Sequence, residues 1–203
     1  MTTPLDAALL DVRKAYRLLA DYQQRILELL AFIRTELGAV HYHQHFRNKP
    51  PRSLNGLELD NSGGARLLPF NDVSALWLRY NGQDDPANQH QKGDLLIDVW
   101  VCSDSGNGVD KKPVLGAEDS RSELRIYFFL CSEDVQENAN WYYQVWNGTG
   151  YPPFGSVASC DSSPGYRVYG EAIALTDLSD EATTREAIAQ LRARASVQLG
   201  QTI

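Results

Sequence analysis

The sequence lacks the features that mark membrane, secreted and nucleic-acid-binding proteins. No apolar run approaches the ~20 residues that a membrane-spanning helix needs. The N-terminus also lacks the basic start and apolar core of a signal peptide. Basic residues are not in excess, since the formal net charge is −7 and the pI is near 5.1. This balance disfavours nucleic acid and membrane surfaces as partners. We therefore expect a soluble, cytoplasmic protein.

Cysteine is scarce, and no recognised catalytic motif is present. Cys102, Cys131 and Cys160 fit reduced thiols better than a disulfide framework. The sequence contains neither a phosphate-binding loop with its lysine nor the Gly-x-Ser-x-Gly elbow of an esterase. With 203 residues, 43% of them hydrophobic, the chain can bury the core of a single domain over 1–203. Whether it is an enzyme stays open.

The first 38 residues predict one long helix. Thr3-Pro4 supplies a capping residue and a proline at the first helical position, and Gly38 ends the run. Between them a stripe recurs at alternating steps of four and three residues: Leu5, Leu9, Val12, Tyr16, Leu19, Gln23, Ile26, Leu30, Ile33 and Leu37. Two interpretations remain open. A core helix lying along its own sheet is favoured by the breadth of the apolar face. The alternative is a projecting helix that forms a homodimer through residues 5–37.

The middle of the chain predicts an antiparallel sheet of about five strands. Residues 39–72 are polar and rich in glycine, proline and asparagine, which indicates an irregular segment. Within residues 73–176 five runs have strand character: Ser74–Tyr80, Leu95–Cys102, Leu124–Cys131, Trp141–Trp146 and Arg167–Leu175. Most connections are too short for helical crossovers, so neighbouring strands are antiparallel. A C-terminal helix within 177–200 completes an α+β fold in which both helices pack on one face of the sheet.

Alternation along the predicted strands separates a core face from a face that combines aromatic and charged side chains. The members of the second set are Trp77, Arg79, Asp98, Trp100, Arg125, Tyr127, Gln144, Trp146, Tyr169 and Glu171. Aromatic rings beside paired charges supply stacking surfaces and directional hydrogen bonds, which small-molecule and peptide sites require. The alternatives are a solvated face of cross-strand ion pairs, or a second small core formed where loops of the chain fold over this face. This face is the candidate binding site for a small ligand or a protein partner.

Three of the four histidines fall within five residues, at His41, His43 and His45. On a strand their imidazoles would share one face, and neutral imidazole is a preferred ligand of Zn²⁺. The cluster therefore predicts a site for zinc or another divalent metal, where a bound water could serve as the nucleophile of a hydrolase. Protonated histidines also interact favourably with a helix end, so a solvated helix exit is the alternative. No other cofactor is indicated.

A second enzymatic alternative starts from Asp98 and Glu123-Leu124-Arg125. An acid on one strand and Glu-x-Lys on the next is typical of metal-dependent nucleases, and this pattern resembles it with arginine in place of lysine.

The leading hypothesis is a non-enzymatic binding protein whose acidic charge suits a basic partner, as for an immunity or inhibitor protein. A metal-dependent hydrolase or nuclease and a helix-mediated dimeric scaffold are the alternatives.

Overall fold

The computed structural model describes residues 4–46, 73–106, 115–135, 139–160 and 162–203 of the chain. The α+β class predicted from the sequence is confirmed, with six strands in place of five. In chain order the elements are α1 (Pro4–Glu36), β1 (Val40–Phe46), β2 (Val73–Arg79), β3 (Leu95–Cys102), β4 (Glu123–Cys131), a π-helix (Trp141–Trp146), β5 (Val157–Ser159), β6 (Tyr166–Ala174), a 3₁₀ turn (Leu175–Leu178) and α2 (Glu181–Leu199).

The six strands form one antiparallel sheet in the order β1-β2-β3-β4-β6-β5. The central strands β3 and β4 pair along the whole of β3, from Leu95 opposite Leu130 to Cys102 opposite Glu123. The short edge strand β5 pairs only with residues 167–169 of β6. The C-terminal part of β6 therefore extends past its neighbour at this edge of the sheet.

Both helices cover one face of the sheet, as predicted from the sequence. The helices contribute Ile26, Leu29, Ile33 and Leu37 on one side and Ile188, Leu191, Ala195 and Leu199 on the other. Alternate residues of β3 and β4 meet them: Leu95, Ile97, Val99, Val101, Leu124, Ile126, Phe128 and Leu130. The opposite face carries a second core that includes Leu76, Leu96, Phe129 and Val168. Alternating strand residues thus enter two separate cores: a helix-side core beneath the two helices, and a second core on the opposite face, called the second face below.

Residues Trp141–Trp146 form a π-helix, so the expectation of a strand there is wrong. The side-chain oxygen of Asn140 caps it by accepting hydrogen bonds from the backbone N–H groups of Tyr142 (3.0 Å) and Tyr143 (2.9 Å). Trp141, Val145 and Trp146 are buried in the second core. Periodicity alone does not separate a short buried strand from a short buried helical segment, which explains the error.

The segment 39–72, expected to be irregular, contains the edge strand β1. This strand pairs with β2 from Val40 opposite Leu78 to Phe46 opposite Val73. Its histidine-rich composition hid the strand, because such residues carry little β preference. Residues 47–72 of the expected irregular segment lie outside the described residues.

Only the C-terminal half of α1 belongs to the helix-side core. Ile26, Leu29 and Ile33 are buried, whereas every residue over 4–18 is exposed. The core-helix interpretation therefore describes the C-terminal half of α1, and the N-terminal half is left exposed. The C-terminal helix α2 begins at Glu181, where Asp180 and Thr183 form a capping box. Among the described residues, no helix combines the length and the apolar character needed to cross a bilayer.

Candidate functional site

The structure divides the ten residues of the expected binding face between the two sides of the sheet. Trp77 and Tyr169 enter the helix-side core. Arg79 and Glu171 lie two residues further along the same strands and therefore on the same side. The residues that meet on the second face are Asp98, Trp100, Arg125, Tyr127 and Trp146. Gln144 lies on the π-helix, where its side-chain oxygen accepts a hydrogen bond from the Asn140 N–H (2.5 Å). A shift of one residue exchanges the two faces of a strand. The sequence did not determine how the alternation of each strand lines up with that of its neighbours, so some residues were assigned to the wrong side.

On the second face, Asp98 is the centre of a buried hydrogen-bond network. The side chain is completely buried, and its Oδ2 accepts hydrogen bonds from Trp146 Nε1 (2.9 Å) and from the Tyr151 hydroxyl (2.5 Å). The Tyr151 ring lies 4.4 Å from that of Tyr127, between centroids. Because Trp146 belongs to the π-helix, Asp98 fastens this helix and the Tyr151 loop to the sheet. The network is an internal anchor.

Beside this network, Arg125 is held between an aromatic ring and a carboxylate. Its guanidinium carbon lies 4.2 Å from the centroid of the Trp100 ring, and its Nη2 is 2.5 Å from Glu123 Oε1. Glu123 lies opposite Cys102, whereas Asp98 lies opposite Tyr127. Four residues of strand therefore separate the two acids, or about 13 Å. This separation is too large for one shared metal ion, so the nuclease-like pattern is not assembled.

The three histidines of β1 do not converge on one point. A bulge between His41 and His43 interrupts the alternation, so that His41 lies opposite Trp77 and His43 opposite Leu76. The His43 ring contacts Tyr142 edge-on at 4.4 Å between centroids, and His45 Nδ1 lies 3.0 Å from the Tyr142 hydroxyl. Within the described part of the chain, no group of three or more His, Cys, Asp or Glu side chains is arranged to hold a metal ion.

An open groove, the β6–α2 groove, runs between β6 and α2 at the edge where β5 ends. One part is a cavity of about 730 Å³ lined by Phe154, Gly155, Tyr169, Glu171, Ala172, Ala193, Arg194, Val197 and Gln198. The other part has about 560 Å³ and is lined by Ala172, Ile173, Ala174, Asp177, Ala182, Thr183, Glu186, Ala187, Gln190 and Arg194. Both share Ala172 and Arg194, so they lie end to end along one flank of α2. Two residues of the expected binding face, Tyr169 and Glu171, line this groove.

A buried tyrosine, a carboxylate and an arginine meet in the middle of the groove. Arg194 forms a two-pronged contact with Glu171, with Nε–Oε1 at 2.9 Å and Nη2–Oε2 at 2.7 Å. The Tyr169 hydroxyl donates a further hydrogen bond to Glu171. Burial alone would raise the pKa of Glu171, but the hydrogen bonds from Arg194 and Tyr169 lower it overall. Burial and the neighbouring carboxylate raise the pKa of Tyr169 to about 12. At neutral pH the groove thus holds a neutral phenol beside a closed ion pair.

The remaining charges that line the groove are both negative. Asp177 and Glu186 lie at the end near Ala174, and the positive charge of Arg194 is already opposed by Glu171. The lining therefore contains three carboxylates against one guanidinium. At the other end Phe154 and Val197 remain 45% and 80% exposed, which leaves apolar surface available. The groove is acidic at one end and apolar at the other.

The floor of the groove is an open strand edge. The N–H of Gly155 donates to the C=O of Gly170 (2.9 Å), and no described strand pairs with residues 171–174 on this side. Backbone groups alternate in direction along a strand, so the N–H and C=O groups of Ala172 and Ala174 point the same way as the C=O of Gly170. The N–H of Leu175 donates to Ser122 on the β4 side, which agrees with this alternation. The edge can accept a further strand.

Sequence reasoning missed most of this groove. It selected Tyr169 and Glu171 but not their partner Arg194, because nothing in the sequence sets the position of α2 against β6. Asp177 and Glu186 could not be identified as groove residues for the same reason. The rigid aromatic loop that contains Phe154 carried a usable signal, since the prolines at 152 and 153 fix its backbone.

Comparison with known proteins places the chain in a family. The sequence profile of the PM0109 family matches residues 2–200. A protein of Pasteurella multocida (strain Pm70) that bears the name "Uncharacterized protein PM0109" is 40% identical over an alignment of 205 residues, which covers 98% of each chain. No solved structure matches the chain significantly. The chain belongs to the PM0109 family.

Proposed function

We propose that this member of the PM0109 family is a binding protein that holds an extended, basic segment of a partner protein in the β6–α2 groove. The segment adds to β6 as one more antiparallel strand, in the manner known as β-augmentation. The observation that carries the proposal is the open edge of residues 171–174, which forms the floor of a groove bounded by α2.

Backbone hydrogen bonds supply the sequence-independent part of this binding. The open edge is four residues long, or about 13 Å. It presents the N–H and C=O groups of Ala172 and Ala174 to the incoming segment. Each such hydrogen bond contributes about 0.5–1.5 kcal/mol net. An added strand that runs antiparallel to β6 also lies in line with β5 and ends where Gly155 contacts Gly170.

Side-chain contacts at the two ends of the groove supply the specificity. The exposed surfaces of Phe154 and Val197 favour an apolar side chain, whose burial contributes about 1.5–3 kcal/mol. Asp177 and Glu186 favour lysine or arginine at the opposite end. Because an antiparallel segment enters from the Asp177 end, its basic residues precede its apolar residue in the sequence.

The buried network on the second face supports the apolar end of the groove. The Phe154 ring lies 5.7 Å from the Tyr127 ring, and the guanidinium carbon of Arg125 lies 5.9 Å from the Phe154 ring, both measured to centroids. Arg125 and Tyr127 therefore hold Phe154 in position. In this view the residues selected from the sequence act as supports for the wall of the groove.

The test is selection of binders from a displayed library of random decapeptides, followed by fluorescence anisotropy with the selected peptides. We expect sequences in which lysine or arginine precedes β-branched or aromatic residues. The decisive variant is Ala172→Pro, which removes an outward N–H that the pairing with β4 does not use. Affinity should fall roughly tenfold, or about 1.4 kcal/mol, with the circular dichroism spectrum unchanged.

A charge variant with a matched control sharpens this test. Glu186→Lys should weaken binding and reduce its dependence on salt, because it reverses a charge that lines the groove. Glu118→Lys makes the same change in an exposed loop outside the groove and should leave affinity unaltered. Equal binding to wild type and to Ala172→Pro would contradict the proposed function. So would unchanged hydrogen exchange of the Ala172 and Ala174 amides when the peptide is added.

A further inference from the structure

The N-terminal half of α1 projects from the domain with an apolar stripe that the domain leaves uncovered. Leu5, Leu9, Val12 and Tyr16 retain between 45% and 73% of their exposure. Contact with the sheet is established at Tyr22, whose hydroxyl donates to the Ser103 hydroxyl oxygen (2.8 Å). A contiguous apolar stripe on a protruding helix is typical of an interaction surface.

We propose that this half of α1 pairs with the same segment of a second copy of the chain, in antiparallel orientation. In the register that the residues favour, Leu5 lies opposite Tyr16 of the second copy, and Leu9 lies opposite Val12 of the second copy. Two-fold symmetry repeats each contact, so four apolar layers form between the helices. The paired segment ends near Arg17, before the helix meets the domain at Tyr22.

Charge complementarity selects this register. Asp6 and Arg13 each directly follow a residue of the stripe, so they lie along the same flank of the helix. In the antiparallel register each Asp6 faces Arg13 of the second copy, which gives two oppositely charged pairs. Ala8 and Ala15 lie along the other flank, where small side chains allow the helices to approach closely. The surface is therefore complementary to itself, as a two-fold interface requires.

Other arrangements of the same stripe lose this complementarity. A parallel pair places Arg13 beside Ala8 and leaves no opposite charges across the interface. Sliding the antiparallel pair by one heptad toward the domains sets Arg13 against Arg13 of the second copy. It also extends the overlap to Tyr22, where the domain begins. The proposed register thus avoids both like-charge contact and overlap with the domain.

The size of the contact indicates a dimer of moderate strength. About 14 residues of each helix overlap, over roughly 21 Å. Isolated helices of this length are marginal in water, but the buried half of α1 already holds the helix in place. Because the contact is smaller than a standard interface of about 800 Å² per partner, we expect a dissociation constant of about micromolar.

The test is analytical ultracentrifugation of the full chain up to about 200 µM, well above the expected dissociation constant. Asp6→Arg and Arg13→Asp should each weaken the dimer by roughly tenfold, because each puts like charges together. The double variant exchanges the two charges and should restore dimerisation. Asp11→Arg is the matched control. It makes the same charge change on the same helix but away from both flanks of the stripe.

A second variant separates dimerisation from folding. Leu9→Lys/Val12→Lys should give a monomer with the circular dichroism spectrum and Tm of the wild-type monomer, since neither side chain enters the core. Three results would overturn the inference: a wild-type monomer at about 200 µM, far above the expected dissociation constant, failure of the charge exchange to restore the dimer, or recruitment of the monomer to anionic vesicles through the same stripe. None of these bears on peptide binding in the β6–α2 groove.

Discussion

The two halves of α1 carry one continuous stripe and meet opposite environments. In the C-terminal half Ile26 and Ile33 are buried against the sheet, whereas Leu9 and Val12 in the N-terminal half are exposed. The stripe keeps the same spacing through both halves. Periodicity therefore identifies an apolar face of the helix. Whether that face is buried within the same chain depends on the position of the helix in the fold.

Length explains why the stripe is divided. The 33 residues of α1 span about 50 Å, whereas a nine-residue strand such as β4 spans about 30 Å. A helix that lies along this sheet must overhang it. The C-terminal half is fixed by contacts with the region of α2, including Arg25 Nη2 to the Ser179 carbonyl (2.8 Å) and Arg185 to Glu36 (3.2 Å). The overhang therefore falls at the N-terminal end.

The largest expected effect follows from a cavity in the buried half. Ile33→Ala should lower the free energy of unfolding by about 2–5 kcal/mol, because Ile33 is completely buried in the helix-side core. Leu9→Ala in the projecting half should change it by less than about 0.5 kcal/mol. Urea unfolding at a protein concentration below the dimer dissociation constant measures both. Similar losses for the two variants would show that the halves are not distinct.

The fold was predictable where the pattern was long and one-sided. The limits of α1, β3 and β4 agree with the sequence prediction to within about two residues, because their alternation or stripe runs over many positions. The π-helix and β1 were missed for two physical reasons. A six-residue aromatic run fits a buried strand as well as a buried helical turn, and the histidines of β1 carry little strand preference.

The candidate site was predictable only in its parts. Asp98, Arg125 and Tyr127 do share a face, because the apolar residues that alternate along β3 and β4 identify the helix-side face of both strands. Trp77 and Tyr169 were assigned to the wrong face, because the phase of β2 and β6 relative to β3 is set by three-dimensional packing. The open edge of β6 depends on where β5 stops, and no local pattern encodes it.

An intermediate effect is expected at the junction between the two halves. Tyr22→Phe removes the hydrogen bond to Ser103 and should cost about 1 kcal/mol at pH 7. Burial raises the pKa of Tyr22 above its ordinary 10.0, so its contribution is complete below pH 10 and is lost as the pH rises past the raised pKa. The wild type should therefore lose stability more steeply than Tyr22→Phe on going to more alkaline pH.

The control for the junction is Tyr16→Phe, the same change in the projecting half. Tyr16 is exposed, so its substitution should leave the free energy of unfolding of the monomer unchanged. Urea titrations at pH 7 and above pH 10 compare the three proteins. If Tyr16→Phe lowered the free energy of unfolding as much as Tyr22→Phe, the part of α1 that is anchored to the domain would begin closer to the N-terminus.

The smallest effect is expected from the ion pair that accompanies the buried half. Arg185 pairs with Glu36 at 3.2 Å, and its guanidinium carbon lies 5.2 Å from the centroid of the Phe32 ring, but its side chain is largely exposed. Arg185→Met should therefore lower the free energy of unfolding by no more than about 1 kcal/mol, and the loss should shrink in high salt. Arg17→Met in the projecting half should have no effect on the unfolding of the monomer. A loss from Arg185→Met as large as that from Ile33→Ala would mean that charge anchors this half of the helix. The smaller loss of stability that we expect would instead show that apolar contacts, which the projecting half lacks, anchor the C-terminal half of α1.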